Sequence, residues 1–345
     1  MKPFWALTHR GKVGSNSAGM TISPQSDSGS SSSNTRRPDL VTAKGGAVGS
    51  PEHGPAYTHV APRSMPLPVL IAVPHAGRAY PGEILANMRD PDMSQLRLED
   101  RHVDQLGVAI SKQTGTGLLV ANAPRAMLDL NRAQDDIDWE MIEGERARPA
   151  RHSAANRRAR SGLGLVPRRL PGFGEIWRSR LSREELEARI NSIHRPYHAF
   201  LANELQRIRY EWGAALLIDL HSMPPLRANG GQERPPQIVL GDRFGASCHG
   251  SLVARAFRYF EQQGCASAHN RPYSGGYVLD RHASPVRGLH AIQVEVCRSA
   301  YLDEYLTEPS PNMAHLATML AGLVRELGAE TAKLGSGGEF AQAAE

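Results

Sequence analysis

The sequence predicts an α/β fold of three layers, with helices on both sides of a mostly parallel, mixed central sheet. Two observations predict it. From Val69 onward strand-like and helix-like segments alternate, the order of elements in three-layer α/β domains. Two strands, Val69-Leu70-Ile71-Ala72-Val73 and Ala214-Ala215-Leu216-Leu217-Ile218, are continuous apolar runs, as strands buried on both faces are. Each leads into a histidine, His75 and His221. Ligands in such sheets bind beyond the carboxyl ends of the strands, so both imidazoles are expected at one edge, where they could share a metal ion.

Residues 1–64 read as a disordered, low-complexity extension. Ser26 to Asn34 is a serine-glycine tract, and such a stretch buries too little apolar surface to offset its ordering entropy. It has no long apolar core of a secretory signal, and no segment of the chain is long and apolar enough to span a membrane. After the first strand, Asp100 to Gln113 has helical spacing at Val103, Leu106 and Ile110, and Thr116 to Asn122 is a second apolar strand. Asp135 to Trp177 is rich in Arg and Gly and carries Pro149, Pro167 and Pro171, which predicts a long irregular insertion with a functional or mobile role. Ser182, followed by Glu184 and Glu185, caps a helix whose apolar positions are Leu186, Ile190, Ile193 and Tyr197. Pro196 kinks or restarts it before it continues to Trp212. Further strands are expected at Gln237–Leu240 and Ala291–Val296, and helices at Gly250–Gln263 and Met313–Leu327. A catalytic domain over residues 65–330 and a flexible tail over 331–345 complete the division.

Of the 345 residues 40% are hydrophobic and 6% aromatic, enough for an aliphatic core. The three cysteines are too few for a disulfide framework or a cysteine zinc site, which suits a reducing cytoplasm. The net charge of +5 is concentrated between Arg146 and Arg169, without a nucleic-acid motif or interleaved aromatics. A small anionic substrate is expected rather than nucleic acid or a membrane.

Four groups of residues carry chemistry. His75 and His221 are candidate metal ligands, and a hydrolytic zinc site commonly takes two histidines and one carboxylate, leaving a water position open. Asp100 and Asp104 are candidates for the carboxylate, one helical turn apart; Asp100 lies nearer the strand ends, where it could otherwise cap the helix. Asp219 shares a strand face with His221 and could support it, and Asp104 could do the same from its helix. Glu295 sits inside the apolar strand, where a carboxylate is costly unless paired or functional. It could serve as general base and then acid, or pair with Arg298. Arg125 and Arg132 could bind a substrate carboxylate and a developing oxyanion, or be surface charges.

The blocks Pro74-His75-Ala76-Gly77, Asp100-Arg101-His102-Val103-Asp104, Arg125 through Arg132, Gly162 through Arg168, Arg195-Pro196-Tyr197-His198, Ile218 through Pro224, Asn270 through Gly276 and Gly288 through Glu295 together resemble the N-formylglutamate amidohydrolase family. The resemblance runs in order from about Val69 to Tyr301. It implies a zinc-carboxypeptidase-like fold and metal-dependent cleavage of an N-formyl amide, with an N-formyl amino acid as substrate and N-formyl-L-glutamate the first expectation. It also implies His75, Asp100 and His221 as ligands of one Zn2+ or another divalent ion, and Glu295 as acid/base. Asn131 with Arg132 would be a carboxylate clamp, Arg125 an oxyanion group, and Tyr273, Gly275 and Gly276 pocket lining. The chain departs from the family at Arg101, where an aromatic is expected, and at Ala76, where serine is commoner.

Overall fold

The computed structural model describes residues 39–144, 157–227 and 234–342. Eight strands form one sheet: β1 (Leu40–Gly45), β2 (Tyr57–Pro62), β3 (Val69–Val73), β4 (Gly117–Ala121), β5 (Ala215–Met223), β6 (Ile238–Gly241), β7 (Ser267–His269) and β8 (Leu289–Cys297). Their order is β1-β2-β4-β3-β5-β8-β6-β7. The centre, β4-β3-β5-β8, is parallel. Antiparallel pairs at β1-β2, β2-β4 and β8-β6 make the sheet mixed, as expected.

Among the described residues the α-helices of five or more residues are α1 (Gly82–Ala86), α2 (Pro91–Leu98), α3 (Val103–Thr114), α4 (Arg183–Arg189), α5 (Arg195–Trp212), α6 (Gly250–Gln262), α7 (Tyr277–His282) and α8 (Asn312–Gln342). Side chains of a strand alternate between faces, and the core splits accordingly. Val69, Ile71 and Val73 of β3, Leu216, Ile218 and Leu220 of β5, and Ile292, Val294 and Val296 of β8 pack with α3, α6 and α8. Leu70, Ala72, Ala215, Leu217 and Ala291 pack on the other side with α4 and α5. On that second face the pattern turns polar toward the strand ends, at Asp219, His221, Gln293 and Glu295. The register sets Gln293 opposite Asp219 and Glu295 opposite His221.

The Ser182 cap is present, its side chain accepting from the Glu185 amide at 3.1 Å. Between α4 and α5 lies a π-helical turn, Ile190–His194. Pro196 has no N–H to give the Ser192 carbonyl, which instead accepts from the Ala47 amide at 2.9 Å.

Two boundaries need correction. Residues 1–38 lie outside the described residues, but 40–62, expected to be disordered, supply the antiparallel pair β1-β2. The signal is weak because β1 is an exposed edge whose large apolar residues are only Leu40 and Val41, and β2 buries His59 among its apolar residues. Partners elsewhere in the sheet stabilise a segment whose own composition does not. At the other end α8 continues past Leu327 and Glu330 to Gln342. Gly328 and Gly335 read as breakers, yet Thr331 is fully buried and Leu334 packs on the core, so tertiary contact overrides propensity. Among the described residues of the irregular insertion the regular pieces are short: a 3-10 turn at Trp139–Met141, the four-residue helix Arg157–Arg160, and the two-residue pair Arg169–Leu170 with Gly174–Glu175. No helix among the described residues is long and apolar enough to cross a membrane.

Candidate active site

His75, Asp100 and His221 meet at the carboxyl edge of the parallel strands. All three are buried, and one potential ligand atom from each lies within 4.8 Å of the others. The Nδ1 atoms of His221 and His75 stand 3.2 Å and 3.7 Å from the same Asp100 oxygen, Oδ2. Asp100 is not a helix cap: it lies in the turn before α3, its amide bonded to the His75 carbonyl at 2.9 Å. Its other oxygen is 3.4 Å from an Arg298 amine.

Each ring is held from behind. His75 Nε2 is 2.7 Å from Asp129 Oδ1, and His221 Nε2 is 2.9 Å from Asp219 Oδ2. A ring N–H donated to a carboxylate fixes the tautomer and leaves the opposite nitrogen free for a metal. His75 Nδ1 is buried without a hydrogen-bond partner, which costs about 1–3 kcal/mol unless something meets it. Burial works against charge on His221, but Asp219 and Asp100 around it hold its pKa well above the usual range. The pocket is therefore arranged to hold positive charge, and the two-histidine, one-carboxylate donor set fits a divalent ion.

Glu295 borders the same space at 6% exposure. Burial raises its pKa to about 7; the charge of His221 opposes the shift, and that of Asp100 adds to it. Its Oε1 accepts from the Gln293 amide at 2.6 Å, and Gln293 Oε1 accepts from Asn131 Nδ2 at 3.3 Å. The alternative pairing with Arg298 is not formed. That guanidinium instead donates to Ser222 Oγ, to the carbonyls of Leu96 and Glu99, and to Asp100.

Asp129 joins the metal-type cluster to the rest of the wall. Besides His75, it accepts from the Asn131 amide at 2.8 Å and from Arg125 Nε at 2.9 Å. A second Arg125 nitrogen lies at 2.9 Å and Arg132 at 3.8 Å. Burial opposes its charge, yet Arg125 and Arg132 hold its carboxyl well below the usual carboxylate range. Sequence reasoning missed this residue. The signal was present: Ala126-Met127-Leu128-Asp129-Leu130 is an apolar run with a buried carboxylate, as around Glu295.

The cluster opens onto a cavity of about 730 Å³. Asn131, Arg132, Tyr273, Gly275 and Gly276 all line it, with Arg125 and Glu295. A Cβ on Gly276 would fall 2.5 Å from the Asn131 side chain, so glycine there lets the 270–276 loop close against the clamp. Asp104 is the expectation that fails. It forms a partly exposed pair with Arg78 at 2.9 Å, because α3 turns it outward one helical turn beyond Asp100. The departure at Arg101 has a local account: its Nε donates to the Thr307 carbonyl at 3.2 Å, away from the cavity wall.

The family model described as N-formylglutamate amidohydrolase matches residues 67–302, well over half of the chain. The chain belongs to the N-formylglutamate amidohydrolase family. An N-formylglutamate deformylase of Pseudomonas putida is 30% identical over 264 residues, covering 76% of this chain and 91% of that protein. One from Pseudomonas aeruginosa is 29% identical over 269 residues, with the same coverage. The crystal structure of N-formylglutamate amidohydrolase from Ralstonia eutropha JMP134 superposes with a TM-score of 0.71 at 30% identity, covering 81% of this chain and 99% of that one. Members of this amidohydrolase family hydrolyse amide bonds, and the chain is an enzyme of that class.

Proposed function

We propose that this amidohydrolase cleaves the formyl amide of an N-formyl amino acid, with N-formyl-L-glutamate preferred, giving formate and the free amino acid. The observation that carries the proposal is the partnerless, buried Nδ1 of His75 facing His221 and Asp100. These three residues would hold one Zn2+ or similar ion, which when bound supplies Lewis-acid polarisation and a water of lowered pKa. Glu295 accepts a proton from the attacking water at a carboxylate oxygen and returns it to the leaving nitrogen as the C–N bond breaks. Arg125, fixed by Asp129, places positive charge where the carbonyl oxygen becomes negative; such a donor is typically worth about 3 kcal/mol. Asn131 and Arg132 receive the substrate's α-carboxylate, and Tyr273 with Gly275 and Gly276 shapes the cavity beside them. The free state of Cys248, Cys265 and Cys297 supports a cytoplasmic setting.

The charges of the cavity support an acidic side chain. Arg125 and Arg132 face Asp129, Arg298 faces Asp100, and Arg243 pairs with Asp280. Arg97 lies 4.5 Å above the Phe173 ring, and neither it nor Arg158 has a carboxylate partner among the described residues. A substrate with two carboxylates supplies the missing negative charge. Formate release across a panel of N-formyl and other N-acyl amino acids tests this reading. The highest kcat/KM is expected for N-formyl-L-glutamate, and Arg158→Ala is expected to lower it about tenfold there while changing the N-formylalanine value less than about threefold. No formate from any formyl substrate would overturn the proposal, and preferential release of another acyl group would redirect it to that amide.

A further inference from the structure

Behind the clamp turn Leu130–Arg132 lies a set of buried histidines that the reaction does not use. His194 and His198 have no exposed surface, and His282 is buried beside them. His198 Nε2 is 3.0 Å from the Leu130 carbonyl and its Nδ1 is 2.9 Å from His282 Nε2. His194 Nε2 is 2.9 Å from the Arg132 carbonyl and its Nδ1 is 3.2 Å from the Gln134 amide. A carbonyl only accepts. Each Nε2 therefore carries a proton, and burial, which holds both pKa values below the usual range, leaves each Nδ1 bare to accept from His282 in one case and Gln134 in the other. Both rings are neutral, with every nitrogen used.

The two carbonyls gripped in this way flank Asn131. On its other side the Asn131 amide donates to Asp129, and its side-chain oxygen accepts from the Val278 amide at 3.0 Å at the start of α7. His282 closes the same α7, stacked on His198 at 5.2 Å between centroids and 15° between planes. The turn is thus held at three successive residues by rigid groups. Helices α5 and α7 reach it together, and the π-helical turn before α5 ends at His194, placing it one helical turn ahead of His198. Packing alone would need apolar rings here; two imidazoles with fully used nitrogens do something an apolar residue cannot.

We propose that His198 and His194 are positioning residues for substrate binding: they fix the carbonyls of Leu130 and Arg132 so that Asn131 and Arg132 present a preset clamp to the substrate carboxylate. The inference rests on the deformylase reading above. Binding energy depends on such preorganisation, whereas Glu295 and the metal-type residues lie outside the 130–132 turn and reach it only through Gln293 and Asp129. The effect should therefore fall on KM before kcat.

The test compares His198→Leu with His198→Gln, whose terminal amide can still donate to the Leu130 carbonyl, using N-formyl-L-glutamate. Expected for His198→Leu is a KM raised at least about tenfold, with kcat within about threefold and metal content unchanged. His198→Gln should return KM to within about threefold of wild type. Should His198→Leu not fold, His194→Leu and His194→Gln provide the same comparison through the Arg132 carbonyl. An unchanged KM, a loss confined to kcat, or glutamine no better than leucine overturns the positioning role. A wild-type enzyme that releases no formate overturns the deformylase reading itself, so the two failures are distinct.

Discussion

The Glu295→Gln enzyme is expected to retain its metal and to lose turnover by at least about a hundredfold, the usual scale for a general acid/base. Glutamine keeps the shape and can still bond Gln293, so the cluster of His75, Asp100 and His221 is undisturbed. What disappears is a group able to take a proton and give it back. Burial places the Glu295 carboxyl near neutrality, with its pKa raised to about 7, where neither direction of transfer is strongly uphill. Single-turnover formate release alongside elemental analysis checks this. Near-normal turnover with metal bound removes Glu295 from the chemistry.

The second large effect is expected at Asp129. Asp129→Asn should weaken metal affinity about 10- to 100-fold, as loss of a carboxylate behind a metal-binding histidine typically does, and should raise KM as well. The reason is its double duty: one oxygen holds His75 and the Asn131 amide, the other holds Arg125. Asparagine offers an amide N–H to one of these donors and removes the charge that Arg125 and Arg132 face. Metal titration and steady-state kinetics on one preparation separate the two effects. Asp104→Asn is the comparator. It breaks only a partly exposed pair with Arg78, worth no more than about 1 kcal/mol, and both constants should stay near wild type. An Asp129→Asn enzyme of unaltered affinity would show that His75 is oriented by its neighbours alone.

Much of this site is legible in the sequence because burial makes polar residues conspicuous. Two apolar strands ending in histidine, and a glutamate inside a third, stand out against their neighbours, and period-two alternation puts Asp219 on the face of His221. The ligand choice between Asp100 and Asp104 is not legible, since both lie on a potential helical face. The structure brings Asp100 rather than Asp104 beside the two histidines, because the helix begins at Val103 and leaves Asp100 in the preceding turn. The pairing of Asp129 with His75 spans 54 residues, a distance over which no local pattern speaks. The antiparallel pair β1-β2 and the continuation of α8 past Leu327 are hidden for the opposite reason. Their own residues are weak formers, and contacts far away in sequence stabilise them.

The most direct measurement is formate release from N-formyl-L-glutamate by one preparation, stripped with a chelator and then given one equivalent of Zn2+. Activity should fall in step with metal content and return on restoration, while His75→Ala protein treated alike should stay inactive. Undiminished formate release from metal-free protein would contradict a metal-dependent deformylation at His75, Asp100 and His221.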